Sequence, residues 1–215
     1  MTEAEWATCE NPKAMLAFLA DQRRAGDRKM RLFSCACCRR VPHALADERA
    51  NRAVEVAERY ADGQADEEER ERALETATGI PTLRGGAARW AVVAVARTGA
   101  MVIIDTIGQI AACPPGQEYD PARWQAESRV QCDLLRDLFG PLPFRSVAVA
   151  PSWRTPQVVA VAQSIYEERA FTRMLELGQV LYQAGCDHRE LLHHCLWSSE
   201  HVRGCYLLDL LLGRE

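Results

Sequence analysis

Apolar positions recur along most of the chain at steps of three and four, the spacing that gathers them on one helical face. Met15, Phe18 and Leu19 form one such stripe, and Met30, Phe33 and Cys37 form the next. Ala46, Ala50, Ala53, Ala57 and Tyr60 make a small-residue face that a neighbouring helix can approach closely. Val130, Leu134 and Leu138 continue the pattern, followed by Val158, Val161, Ala162 and Ile165. Phe171, Met174, Leu175, Gly178 and Leu181 mark a further helix, and Leu191 and Leu192 a short one. The stretch from His201 to Leu212 is apolar almost all round and reads as a buried last helix. Start signals agree: Thr2 with Glu5 is a capping box, Asn11-Pro12, Asp120-Pro121 and Thr155-Pro156 pair a cap with proline, and Asp27, Asp66 and Asp187 supply further caps. Gly26, Gly63, Gly79, Gly140 and Gly185 stand at the stops. The expected fold is all-α, about ten helices without a repeat.

Residues 90–113 are the most apolar segment and predict one central helix, buried on most sides. A membrane span is disfavoured, because Arg97 and Asp105 would each cost about 2.5–3.5 kcal/mol at the bilayer centre. Asp105 is expected to pair with a buried arginine such as Arg97. Residues 66–79 are strongly acidic and read as a solvated helix. Residues 144–154 look extended, as a short strand or an ordered loop. Short connections favour a single domain over 1–215, with two lobes meeting near 113–120 as the other arrangement.

Composition narrows the class. The 215 residues are 48% hydrophobic and 26% charged, enough for a core without disulfides or metals. A net charge of −4 argues against nucleic-acid binding, although basic residues gather at 23–31 and at Arg39 and Arg40. The N-terminus is acidic and has no apolar leader, so the expected compartment is the cytoplasm. Nine cysteines, an odd number, then read as reduced thiols.

Those cysteines carry the candidate chemistry. Cys186, His188, His193, His194, Cys195, His201 and Cys205 lie within one short stretch. His201 and Cys205 are four apart, which a helix would place on one face. A tetrahedral zinc site needs four such N or S donors. The candidate set is His194, Cys195, His201 and Cys205, with His193 or Cys186 as substitutes. The spacing matches no standard zinc finger, and small buried cysteines beside helix-edge histidines are the plainer alternative. A second cluster, Cys35, Cys37 and Cys38 with His43, could add ligands or simply pack beside Phe33. Arg39 and Arg40 stand where they could activate a thiol. No glycine-rich phosphate loop, nucleophile elbow or His-Glu-x-x-His motif occurs, so no catalytic residue is assigned.

Two regions carry a family resemblance. The first holds MTEAEW, DRKMRLFSCACCRR and RAVEVAERYADG; the second holds LLRDLFGPLPFR, AQSIYEERAF, AGCDHRELLHHC and HVRGCYLLDLLLGRE. Over residues 1–63 and 134–215 the chain resembles a paralogous family of planctomycete bacterial proteins, often fused to or encoded beside repeat modules. Residues 64–133 lie outside the resemblance. It implies no activity or ligand, only that Cys37, Cys38, His194, His201 and Cys205 fall in the shared motifs. Tyr206 stands where relatives carry Trp.

The sequence therefore predicts a non-enzymatic helical module that contacts an unidentified protein partner. A zinc-stabilised domain built on the C-terminal cluster is the main alternative, and an enzyme or nucleic-acid-associated factor the next.

Overall fold

A computed structural model describes residues 1–21, 26–41, 45–80, 86–197 and 200–214. Among them the fold is all-α, with no strand. The helices are α1 (Glu3–Thr8), α2 (Pro12–Asp21), α3 (Asp27–Arg40), α4 (Glu48–Ala61), α5 (Glu67–Thr78), α6 (Arg89–Val92), α7 (Ala96–Ala112), α8 (Pro121–Phe139), α9 (Pro156–Glu168), α10 (Met174–Gln183), α11 (Arg189–Trp197) and α12 (Tyr206–Leu212). Single 3-10 turns stand at Pro151–Trp153 and Phe171–Arg173.

Local chemistry explains the starts. Thr2 Oγ1 accepts from Glu5 N while Glu5 accepts from Thr2 N, the reciprocal capping box. The side chains of Asn11, Asp47, Asp66 and Thr155 each accept from a main-chain N–H of the first turn that follows. The residues at 146–150 form a loop, held at Val147 in the core, that leads into the turn at Pro151.

The chain divides into two compact units, Met1–Leu135 and Arg136–Glu215, with the division inside α8. Cys113-Pro114-Pro115-Gly116 joins α7 to α8. In the first unit α3 is buried nearly all round and packs on α4 and α7. In the second, α9, α10, α11 and α12 enclose a core containing Tyr166, Leu177, Leu181, Leu191, Leu207 and Leu208.

Two helical expectations need correction. The apolar segment is not one helix, because it breaks between Val92 and Ala96. The break frees the carbonyls that end α6, and two buried arginines take them. Arg31 donates to Ala91 O and Val93 O at 2.8 Å each, and Arg70 donates to Val92 O at 2.5 Å. Cations at a helix C-terminus satisfy both the orphan carbonyls and the dipole. Tyr60 supports the pair, with the Arg31 guanidinium 4.9 Å from its ring centre. Gly99 permits the close return of α7, since a Cβ there would stand 2.1 Å from Trp90 O. The last helix is also shorter than expected. It starts at Tyr206, and residues 201–205 form a turn through Gly204 at φ +89°.

Asp105 is exposed and pairs with Lys13 at 2.6 Å, not with Arg97. The helix turns that position outward, where only a neighbouring surface cation can reach it. No described helix is long and apolar enough to cross a membrane.

Candidate metal centre

Three separate segments of the second unit bring polar side chains to one point. Asp137 comes from the last turn of α8, His194 from α11, and His201 and Cys205 from the turn before α12. A carboxylate in the last turn of a helix opposes the dipole there. Its side chain is also fully buried, so it requires compensating partners.

Those partners converge. Asp137 Oδ1 lies 2.7 Å from His201 Nδ1 and 3.2 Å from His194 Nε2. Cys205 Sγ lies 3.1 Å from His194 Nε2 and 3.9 Å from His201 Nδ1. One ligand atom from each of the four residues falls within 4.8 Å of every other. Zinc bonds of about 2.0–2.3 Å in a tetrahedron set donors about 3.3–3.6 Å apart, so the observed edges bracket that geometry. The group could hold a metal ion.

The surroundings orient the donors. Asp137 Oδ2 accepts from the Val202 main-chain N–H at 2.9 Å, which leaves Oδ1 to the cluster. The His194 ring is held edge-on to His201 at 4.7 Å and against Tyr206 at 4.5 Å between centres. Burial would raise the Asp137 carboxyl, but hydrogen bonds from His194 and His201 outweigh it and hold the pKa at about 2. Burial pushes the Cys205 thiol well above the ordinary range, and the nearby Asp137 charge adds to this. Lowering it again is what a bound cation does to a ligating thiol.

The other expected residues lie elsewhere. Cys195 neighbours His194, but consecutive helical residues point about 100° apart and cannot both face one centre. It is buried against α10, where a Cβ on Gly178 would come 2.9 Å from its own Cβ. Cys186 belongs to the apolar core, and His193 faces outward. Cys35, Cys37 and Cys38 are buried within α3 of the first unit. His43 lies outside the described residues. Arg39 and Arg40 are engaged by Glu58 and Glu127 rather than activating a thiol. Burial raises Cys38 to about 12 and pushes Cys37 well above the ordinary thiol range, so both are inert at neutral pH.

Asp137 was invisible to spacing arguments because carboxylates are scattered throughout the chain. Its one local sign is an acidic residue among Leu134, Leu135 and Leu138 at a helix C-terminus. A hollow of about 510 Å³ in the first unit, near Trp124, carries Lys13–Asp105 and Arg129–Glu10 pairs, each partly exposed. Its charges neutralise one another, so it offers no comparable centre. No family model matches the chain, and neither a curated protein nor a solved structure does.

Proposed function

We propose that the chain is a zinc-stabilised helical module with a non-enzymatic role in protein interaction. The observation that carries the zinc reading is the convergence of Asp137, His194, His201 and Cys205 at one largely buried point. Structural zinc sites use four protein donors and leave no open position, whereas catalytic sites keep one for water or substrate. Here the His194 and His201 side chains are 11% and 6% exposed, and Asp137 and Cys205 are buried. The metal cross-links three segments of Arg136–Glu215. Units of roughly 70–80 residues gain much from such a staple, because their cores alone stabilise weakly. Nine free cysteines suit a reducing compartment, and we assign the cytoplasm. Exposed Leu175, Tyr182 and Leu196 favour a partner-binding role.

Elemental analysis of protein purified without added metal tests the reading. One zinc per chain is expected, with cobalt substitution giving the absorption of a tetrahedral site containing one thiolate. A content below about 0.2 zinc per chain overturns it, given the tight binding of structural sites.

A further inference from the structure

Two of the four donors, His201 and Cys205, stand on the turn that leads into α12. The other two, Asp137 and His194, belong to α8 and α11. The centre ties that turn to the rest of the second unit. Asp137 Oδ1 meets His201 Nδ1, Asp137 Oδ2 accepts from the Val202 N–H, and Cys205 Sγ meets His194 Nε2. The helix beyond the turn, α12, has only seven residues and no side-chain cap at its start. Isolated helices shorter than about 12–15 residues are marginal in water, so α12 depends on being docked. It packs chiefly on α9, whereas α10 packs on both α9 and α11.

We infer that zinc locks a local opening of the second unit, in which residues 201–212 lift away while α9, α10 and α11 stay folded. The inference rests on the zinc reading and adds a regulation of that site. The open segment carries off His201 and Cys205 and leaves Asp137 and His194 behind. Neither side then keeps more than two donors, where a structural zinc site needs four. A ligand that binds one of two states shifts their balance by its differential affinity, so free zinc sets how often the segment opens. Opening bares Tyr206, Leu207, Leu208 and Leu211, each no more than 2% exposed in the closed form. The second unit thus offers this apolar surface when metal is scarce and withholds it when metal is bound.

The test is amide hydrogen exchange of the nitrogen-labelled full chain, metal-free and with zinc alone added. Val202, Cys205 and Asp209 are the probes, since their N–H groups bond to Asp137 Oδ2, Val202 O and Cys205 O in the closed form. With free zinc about 1,000 times its dissociation constant, their exchange should slow about 100-fold or more, under a linkage ceiling of about 1,000-fold. The Leu177 and Leu181 amides inside α10 should stay slow in both states. Cys205→Ala withdraws one donor, and zinc should protect its segment at least about tenfold less than the wild type. Equal slowing of α10 and the segment overturns the lock and leaves the zinc reading standing. So does a metal-free chain whose whole second unit is unprotected, or a zinc-loaded chain whose segment exchanges no more slowly than the metal-free one. A chain that holds no zinc overturns the metal reading, and this one with it.

Discussion

Asp137 Oδ1 stands 2.7 Å from His201 Nδ1, although 64 residues separate them in sequence. A buried carboxylate that closes so long a loop is costly unless cationic groups compensate it, and two histidines with a thiol meet it there. Asp137→Asn keeps the shape but removes the charge and one anionic donor. Zinc affinity should fall by more than ~100-fold, beyond the usual effect of losing a supporting residue. Competition with a chromogenic chelator measures this. The wild-type melting temperature should rise with free zinc, as binding to the folded state requires, while that of the variant stays flat.

The metal-free chain has its own pH dependence. The folded Asp137 carboxyl titrates at about 2, below its ordinary 3.8. A lowered carboxyl pKa stabilises the fold above the unfolded value, and that stability disappears as pH falls through the folded value. The urea midpoint of the wild type should therefore exceed that of Asp137→Asn at pH 5, and the gap should close between pH 4 and pH 2. A gap that stays constant across this window would show that folding does not lower the carboxyl pKa, and one that shifts in favour of the wild type as pH falls would show an uncompensated carboxylate.

Gly140 ends α8 at φ +51°, and a Cβ there would come 2.6 Å from the Tyr206 ring. Tyr206 in turn packs against His194. Gly140→Ala should destabilise the second unit by about 1–3 kcal/mol through this clash and the left-handed backbone. Adding Tyr206→Leu should restore part of the loss, measured as melting temperatures of the single and double variants.

Arg31 satisfies carbonyls at the break between α6 and α7. Arg31→Met should cost about 2–4 kcal/mol, since it leaves the buried Ala91 carbonyl and the partly buried Val93 carbonyl unmet. Lysine should rescue little, because one ammonium cannot span the carbonyls that a guanidinium fork reaches. Chemical denaturation of both variants provides the check.

Thiol reactivity should divide by position. Cys9 and Cys113 are partly exposed, whereas Cys37, Cys38 and Cys195 are buried with raised pKa values. A thiol reagent at pH 8 should modify the first two quickly and the other three only after unfolding. Mass spectrometry of digested protein identifies the sites.

Much of the helical framework was legible in the residues. The Thr2–Glu5 box, Asp66 and Thr155-Pro156 are local signals, decided by hydrogen bonds within one turn. The two corrected helix bounds have different causes, one distant and one local. The apolar run breaks where Arg31 and Arg70 reach it from other helices, and His201 precedes the last helix because the chain turns at Gly204.

The sequence by itself determined that this protein is helical and that four of its five histidines and three of its nine cysteines gather in one stretch, because periodicity, caps and composition act over a few residues. Only the tertiary structure decided which of those groups share a centre. Helix geometry turned Cys195 away from His194, and the contact of Asp137 with the turn at 201–205 added a carboxylate. A four-donor site is defined by distances between side chains from three segments, and spacing along the chain constrains those distances only within a single turn of helix.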